Sequence, residues 1–268
     1  MNKPPAANEP GWDTGTHEAF YRYYEAQSAG EESLQRFEAI YATLARMLGQ
    51  RGPLDVADIG CGAGTQGRLW AARGHRVRGA DINEALVGLG RKRAREDGLD
   101  IRFDVASATA LPWPDASIDV CIAPELLEHV EDWKGCIAEF ARILRPGGAL
   151  YLSTSNRLCP KQQEFTLPLY SWYPAPLKRH CVRLARSTHP HIAGYATYPA
   201  VNWFTFYQLR KHLAGYGMRS FDRFDMVDLA AQGALGRAAI GAVRALPPLR
   251  WCAHVLTPYL SLLAVRQE

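Results

Sequence analysis

The sequence predicts an α/β fold in which a mostly parallel sheet carries helices on both of its faces. Strand-like and helix-like segments alternate along the first 155 of the 268 residues, which is typical of a parallel sheet. A glycine-rich turn joins the first of these strands to the helix that follows it. The hydrophobic fraction of 47% and the charged fraction of 22% lie near the globular average, which argues against disorder and against a membrane-spanning bundle.

Apolar spacing predicts five strands and four helices in this region. A helix with an apolar stripe covers residues 31–48. The strands are expected at Asp55–Ile59, Arg76–Asp81, Ile101–Val105, Ile118–Ala123 and Ala149–Ser155. The helices between them are expected at Thr65–Arg73, Glu84–Glu96 and Trp133–Leu144, the last of which is ended by Arg145-Pro-Gly-Gly.

The rest of the chain differs in composition and in charge. Residues 1–155 hold 17 basic and 22 acidic side chains, whereas residues 156–268 hold 14 and 5. Residues 156–200 are rich in proline and aromatic residues, and so long a segment between regular elements is usually either a functional lid or mobile. Helix and strand patterns return at Phe204–Ala214 and Met218–Asp225, before a last apolar stretch over Ala234–Val265.

The glycine-rich turn, Gly60-Cys-Gly62-Ala-Gly64, is the strongest functional signal. Glycine lets the backbone turn tightly and lets a ligand approach it closely, and the next helix directs its N-terminal amides to the same place. Asp58 is expected at the lip of this crevice, where a carboxylate disfavours a pyrophosphate and favours the amino group of a cationic cofactor. Asp81 ends the second strand and can accept hydrogen bonds from both ribose hydroxyls, which suits NAD and S-adenosylmethionine equally.

Four downstream motifs favour S-adenosylmethionine. They are Leu111-Pro-Trp-Pro-Asp, Glu125-Leu-Leu-Glu-His, Leu144-Arg-Pro-Gly-Gly and Ser153-Thr-Ser-Asn. With the glycine turn they resemble the class I S-adenosylmethionine-dependent methyltransferases, in the branch of the quinone-biosynthesis O-methyltransferases and natural-product methyltransferases. The resemblance covers residues 35–155 well. It implies a Rossmann-like, mostly parallel seven-stranded sheet with a helical and aromatic insert after the fifth strand.

The resemblance also implies a site for S-adenosylmethionine and its product S-adenosylhomocysteine. Asp81 would bind the ribose hydroxyls, and Ile82 would pack on the adenine. Ser107 departs from the family pattern, which often has an acidic residue there to bind the adenine amino group. The full set of expected cofactor-binding residues is Asp58, Gly60, Cys61, Gly62, Gly64, Asp81, Ile82, Ser107, Ala108, Pro124 and, from an N-terminal lid, Tyr23.

Catalysis is expected at His129 and Glu125. His129 is the leading candidate for the general base, because its ordinary pKa lies near the working pH. Glu125, Glu128 and His129 are spaced so that they would share one face of a helix. In the resembling quinone O-methyltransferases such a stretch can hold a divalent cation. We do not expect a metal here, and the same group could instead only brace the fold.

On this basis we divide the chain into four parts. Residues 1–50 are an N-terminal helical lid, and residues 51–155 are the cofactor-binding core. Residues 156–202 are an insert that covers the acceptor, and residues 203–268 supply helices and the last strands of the sheet.

Two other function classes remain open. An NAD-dependent oxidoreductase would use Gly62–Gly67 as a G-x-G-x-x-G turn, but it leaves Leu111–Asp119 and Pro146–Gly148 unexplained. A non-catalytic module that only binds the cofactor is the second alternative, and the intact glycine turn and Asp81 count against it.

The expected acceptor is a small molecule, with anionic and lipid-like acceptors both open, and the family resemblance implies transfer to oxygen more than to nitrogen. The formal charge of +4 and the turn Ala123-Pro-Glu-Leu argue against nucleic acid as a partner. No secretory signal and no apolar run of about 18 residues is present, so a cytoplasmic protein is predicted. Peripheral contact with a membrane stays open, and the sequence does not specify an oligomeric state.

Overall fold

The computed structural model describes residues 30–49, 52–161, 165–193 and 200–267. Among these residues it contains seven strands and eight α-helices. The strands are β1 (Asp55–Ile59), β2 (Arg76–Asp81), β3 (Ile101–Val105), β4 (Ile118–Pro124), β5 (Leu144–Ser155), β6 (Met218–Asp222) and β7 (Tyr259–Arg266). The helices are α1 (Glu31–Leu48), α2 (Thr65–Ala71), α3 (Glu84–Glu96), α4 (Trp133–Ile143), α5 (Ala175–Ser187), α6 (Phe206–Ala214), α7 (Ala234–Ala245) and α8 (Pro247–Val255).

The strands form one seven-stranded sheet in the order β3-β2-β1-β4-β5-β7-β6. Strand β1 pairs in parallel with β2 on one side and with β4 on the other, and β2 pairs in parallel with β3. Parallel strands have their carboxyl ends at one edge of a sheet, where α/β proteins bind their ligands. The glycine turn, Asp81 and Pro124 all lie at such strand ends.

The inner strands are apolar because both of their faces are covered. Val120, Cys121, Ile122 and Ala123 follow one another along β4, and all four are fully buried. A continuous apolar run of this kind is typical of a parallel strand between two layers of helices. Helix α3 begins where the side chain of Asn83 accepts a hydrogen bond from the Leu86 amide at 3.1 Å, an N-cap that satisfies a free donor of the first turn.

The chain divides into two compact units. Among the described residues, the first consists of residues 30–49, 52–124, 132–151 and 265–267, and the second of residues 125–131, 152–161, 165–193 and 200–264. The first unit contains β1 to β4 with helices α1 to α4. The division falls within β5 and β7, and the second unit contains β6 and helices α5 to α8.

A buried ionic cluster ties α8 to β6 inside the second unit. Asp222 is fully buried, and its Oδ2 lies 2.9 Å from His254 Nε2 and 2.6 Å from Arg250 Nε. Arg250 also forms an ion pair with Asp225. The bonds from His254 and Arg250 hold the pKa of the Asp222 carboxyl well below its usual range, although burial alone would raise it. The carboxylate therefore stays charged and paired.

The predicted seven-stranded, mostly parallel α/β fold is confirmed. The main difference lies in β5, which begins at Leu144 and not at Ala149. Residues 145–148, expected as a turn, belong to the strand. A Cβ on Gly148 would lie 2.9 Å from the Arg145 carbonyl oxygen and 3.1 Å from that of Asp119, so glycine serves a close backbone approach there. Helix α2 and strand β6 also end earlier than expected, at Ala71 and Asp222.

Candidate functional site

The glycine turn after β1 has a backbone that other residues rarely adopt. Gly60, Gly62 and Gly64 have φ angles of 69°, 49° and 74°. A side chain is strained in this left-handed region, so the three glycines are needed for the path of the chain. The amides of Gly60 and Cys61 donate to the Ala80 carbonyl at 2.8 and 3.1 Å. These two bonds fix the turn against the end of β2.

Asp58 supports this turn from below. Its carboxyl group is buried, and its Oδ2 accepts a hydrogen bond from the Gly67 amide at 2.9 Å. The prediction that Asp58 lies at the lip of the crevice is therefore wrong, because the Gly67 amide draws its side chain under the start of α2. Burial, helped by the charge of Asp81, raises the pKa of the Asp58 carboxyl to about 7, against the lowering effect of the Gly67 bond.

Asp81 lies at the open end of β2 and is partly exposed. Its Oδ2 accepts from the Gly62 amide at 2.9 Å, and its Oδ1 accepts from the Asn83 amide at 2.8 Å. Burial raises the pKa of this carboxyl, and the amides of Asn83, Gly62 and Ile82 lower it. Each oxygen has a second lone pair. The carboxylate is thus held in one orientation and can still accept hydrogen bonds from a ligand.

Two large apolar side chains flank Asp81 and are left open to solvent. Ile82 and Val105, just after β2 and at the end of β3, are each 47% exposed. Apolar ledges beside a carboxylate at strand ends suit an adenosine, whose base is flat and apolar on its faces. Sequence reasoning named Ile82 and missed Val105, for which the only signal was its place at the end of β3.

Ser107 and Ala108 follow β3 at the same edge. The Ser107 hydroxyl lies 2.8 Å from Thr109 Oγ1 and accepts a bond from the Thr109 amide at 3.2 Å. The Ser107 hydroxyl therefore closes a local turn, and it can still form a further hydrogen bond. Ala108 is buried. Cys61 is buried too, and burial raises the pKa of its thiol, so it is a packing residue rather than a nucleophile.

The start of α2 supplies polar groups that sequence reasoning missed. Thr65 and Gln66 are buried, yet Thr65 Oγ1 and both amide atoms of Gln66 have no hydrogen-bond partner among the described residues. Buried polar groups are almost always bonded, so a ligand or water is needed here. The glycine turn, the oriented Asp81 carboxylate, the two apolar ledges and these free polar atoms together fit S-adenosylmethionine.

The residues after β4 form a turn, so the predicted helical face of Glu125, Glu128 and His129 is wrong. Strand β4 ends at Pro124, and Glu125 then adopts a φ of 53°, which is uncommon outside glycine. The Glu125 amide donates to the Ser153 carbonyl at 2.8 Å. A residue in the left-handed region cannot continue a right-handed helix, so the spacing of Glu125 and His129 does not place them on one helical face. Such local strain is often found at functional positions.

The side chain of Glu128 is hydrogen-bonded within the second unit. It is buried, and its Oε2 accepts a bond from the Thr154 hydroxyl at 2.7 Å. Residues 30–49, 52–161, 165–193 and 200–267 contain no group of three His, Cys, Asp or Glu side chains that could hold a metal. His129 is also deeply buried. Burial lowers the pKa of its imidazole to about 4, and the nearby Glu125 raises it only in part.

Asn202 fixes the turn that carries His129, and sequence reasoning gave no signal for it. Its side-chain amide donates to the carbonyls of Leu127 and Val130 at 3.2 and 2.6 Å. Its backbone amide and that of Val201 donate to the Glu128 carbonyl at 3.1 and 2.8 Å. The remaining predicted site residue, Tyr23, lies outside the described residues.

Comparison with known proteins relates this chain to methyltransferases. The model of a family described as "Methyltransferase domain" matches residues 57–152. A probable S-adenosylmethionine-dependent methyltransferase of Mycolicibacterium smegmatis is 40% identical over 46% of this chain and 46% of its own length. A ubiquinone biosynthesis O-methyltransferase of Idiomarina loihiensis is 39% identical over 38% of this chain and 42% of its own length. The chain thus matches less than half the length of either relative.

A solved S-adenosylmethionine-dependent methyltransferase of Mesorhizobium loti is similar in fold. The structural alignment covers 85% of this chain and 98% of that protein, with a TM-score of 0.56. Its sequence identity of 21% extends the likeness to the fold alone. Among the described residues, no helix is long and apolar enough to cross a membrane.

Proposed function

We propose that residues 57–152, which match the model of a methyltransferase domain, bind S-adenosylmethionine as a class I methyltransferase, and that the protein methylates a small-molecule acceptor on oxygen. The observation that carries the proposal is the Asp81 carboxylate. It is oriented by the amides of Gly62 and Asn83. Ile82 follows it in the chain and Val105 lies opposite it on β3, and both of these apolar side chains are 47% exposed. That arrangement matches the ribose and adenine of one cofactor molecule.

In the proposed reaction the bound cofactor supplies a methyl group on a positively charged sulfur, open to in-line attack by the acceptor oxygen. The protein then has to position the acceptor, exclude water and take up the hydroxyl proton. We assign the proton to His129. Burial lowers the pKa of His129 to about 4, so the imidazole is neutral at neutral pH, and the charge of Glu125 favours the imidazolium that forms when it takes up the proton.

The acceptor class is inferred from the relatives and from the second unit. Relatives named ubiquinone biosynthesis O-methyltransferase support oxygen as the acceptor atom. Residues 156–202 contain a buried aromatic core in which the rings of Phe165 and Tyr170 stack with centroids 3.9 Å apart, and Trp172 in the same segment is 54% exposed. Because ligand sites are mainly apolar with a few polar anchors, we propose that this segment binds the acceptor.

Titration calorimetry with S-adenosylmethionine, S-adenosylhomocysteine and NADH, in parallel, tests the proposal. We expect micromolar binding of the first two and none of NADH. Tight binding of NADH alone would contradict the proposal and favour the alternative that the protein is an NAD-dependent oxidoreductase. Binding of the cofactor with no methyl transfer to any phenol, catechol or hydroquinone in a radiolabelled-methyl screen would favour the non-catalytic module.

We also propose that α7 and α8 make peripheral contact with an anionic membrane surface. Leu235, Leu246, Leu249, Trp251 and Leu256 are each more than 40% exposed. No acidic residue occurs between Asp228 and Glu268, so nothing on these helices repels anionic lipid. In co-sedimentation we expect binding to phosphatidylglycerol vesicles and much weaker binding to phosphatidylcholine vesicles. Equal recovery of the parent and the Trp251→Ser variant would contradict this contact.

A further inference from the structure

Among the described residues, the ammonium group of Lys178, on α5, lies against aromatic rings and forms no ion pair with a carboxylate. Its Nζ lies 3.7 Å from the ring centroid of Trp203 and 5.8 Å from that of Tyr170. It donates one hydrogen bond, to the Ser171 carbonyl at 2.9 Å. A ring face and a carbonyl stabilise a cation only in part, and an ammonium group has three donors.

Arg157 lies beside this ammonium group, because its backbone is bonded to the two segments that contain Trp203 and Ser171. Its amide donates to the Phe204 carbonyl at 2.7 Å, next to Trp203. Its carbonyl accepts from the Trp172 indole at 2.9 Å, next to Ser171. Burial, together with the positive charge of Arg157, lowers the pKa of Lys178 to about 8, so the amine is still mostly protonated at neutral pH.

No carboxylate compensates these two cations within the described part of the second unit. Asp222 and Asp225 of that unit are paired with Arg250, and Glu128 is bonded to Thr154. Neither Lys178 nor Arg157 takes part in an ion pair among the described residues. Two neighbouring cations, one of them half-buried, raise the free energy of the fold unless an anion joins them.

We propose that Lys178 and Arg157 bind an oxyanion of the methyl acceptor, a carboxylate or a phosphate, while the partly exposed Trp203 contacts the apolar body next to it. This inference rests on the proposed function and narrows its substrate class to anionic acceptors. Lys178 contributes a point charge. Arg157 has a planar group that can donate two parallel hydrogen bonds to such an anion. Both act in specificity and not in the chemical step.

Competitive labelling of lysines gives a direct test on the full chain. The sequence has six lysines, Lys3, Lys92, Lys134, Lys161, Lys178 and Lys211, so trace acetylation by acetic anhydride can be quantified at each by mass spectrometry. Benzoate and phenyl phosphate serve as probes at constant ionic strength, with chloride as the reference. We expect at least a fivefold decrease in Lys178 labelling with one of them, and no change at Lys92, whose side chain is exposed.

The two probes distinguish a carboxylate from a phosphate acceptor. An equal decrease at all lysines would mean general screening and would overturn the proposal. No protection of Lys178 by either probe, in protein that binds S-adenosylhomocysteine, would also overturn it while leaving the proposed function intact. Loss of cofactor binding itself would instead count against the proposed function.

Variants of the two cations provide the second test. Lys178→Met removes the charge and keeps most of the side-chain length, and Arg157→Gln replaces the charge of the exposed partner with a shorter neutral amide. Because one hydrogen bond to a charged group is lost, the calorimetric Kd for the better probe should increase about 10- to 100-fold in each variant. Arg179→Gln, next in the chain and exposed on α5, is the matched control and should leave that Kd unchanged.

The cofactor Kd separates a local effect from misfolding. We expect the Kd for S-adenosylhomocysteine to stay within twofold in all three variants, and Lys178→Arg to restore part of the affinity for the probe. If Lys178→Met does not fold, Arg157→Gln decides, since the Arg157 side chain is exposed. An unchanged probe Kd in Arg157→Gln would then refute the assignment.

Discussion

Replacing Asp81 by Ala tests the cofactor site most directly. The carboxylate is fixed by the amides of Gly62 and Asn83 at 2.9 and 2.8 Å, so its remaining lone pairs have a defined direction before any ligand binds. We expect both ribose hydroxyls of the cofactor to donate to it. A hydrogen bond to a charged group contributes about 1.5–3 kcal/mol. Since water replaces part of this, the two bonds amount to about 3–4 kcal/mol, or a 100- to 1,000-fold increase in Kd.

Titration calorimetry with S-adenosylhomocysteine measures this loss, and two further variants make it specific. Asp81→Asn keeps one oxygen acceptor and removes the charge, so it should bind between the parent and Asp81→Ala. Asp55→Asn changes an aspartate at the opposite end of β1, where Asp55 accepts from Arg76 at 2.8 Å and from Arg145 at 2.9 Å. It should lower the free energy of unfolding by about 1 kcal/mol, because both arginines are at least partly exposed and water screens the ion pairs, and leave the Kd unchanged.

The reasoning would be refuted by a folded Asp81→Ala protein that binds the cofactor within threefold of the parent. Thermal unfolding of the same samples guards against a trivial loss. The amides of Gly62 and Asn83 lie at the open edge of the sheet, where water can replace the carboxylate, so we expect only a few degrees of decrease in Tm. A collapse of Tm would mean that Asp81 serves mainly to hold the turn.

Three other predictions concern the same region. Gly64→Ala should lower the free energy of unfolding by about 2–4 kcal/mol, because it combines a φ of 74° with a Cβ placed 2.6 Å from Phe103 Cζ. Gly74→Ala, with a φ of 83° and open space around its Cβ, should cost only about 1 kcal/mol, and equal effects in urea unfolding would argue against the contact with Phe103. Asp58→Asn should raise Tm relative to the parent at pH 8.5 and much less at pH 5. The pKa of this carboxyl is raised from 3.8 to about 7, so its protonation stabilises the fold fully below pH 3.8, and this stabilisation is lost as the pH rises through 7. Between pH 5 and pH 8.5 the parent should lose about 2–3 kcal/mol of its free energy of unfolding. A Tm difference independent of pH would contradict the buried charge. His129→Gln should slow turnover about 100-fold or more with the cofactor Kd within twofold, and the parent's kcat/KM should show no transition near pH 6.5 from this group, since its pKa is about 4; unchanged turnover would reduce His129 to a structural residue.

The first half of the fold was predictable because its signals are local. The bounds of β1, β2 and β3 match the prediction residue for residue, since short segments that contain Val, Ile or Phe and lie between turn residues are typical of strands. The start of β5 was not predictable. Pro146-Gly-Gly usually forms a turn, and only the neighbouring carbonyl of Asp119, close to Gly148, shows why glycine occurs there inside a strand.

Position along a strand was readable in the site, but the depth of a side chain was not. Asp81 and Ile82 follow from the place where β2 ends. Asp58 lies opposite Gly79, two residues before the level of Asp81, and the sequence does not show that the Gly67 amide holds its carboxylate below the turn. Val105 and Gln66 were missed for a related reason. Exposure of an apolar residue and lack of a partner for a buried amide are properties of the packed structure.

The turn with His129 shows where spacing fails as evidence. An i, i+3, i+4 pattern places side chains on one face only if the segment is helical, and the left-handed φ of Glu125 prevents that. What holds the turn instead is distant in sequence: Thr154 bonds to the side chain of Glu128, and Asn202 bonds to the carbonyls on either side of it. Asn202 is the last residue of the segment that we propose binds the acceptor. A substitution in that segment that alters acceptor specificity would therefore also shift the turn that carries His129, the proposed base.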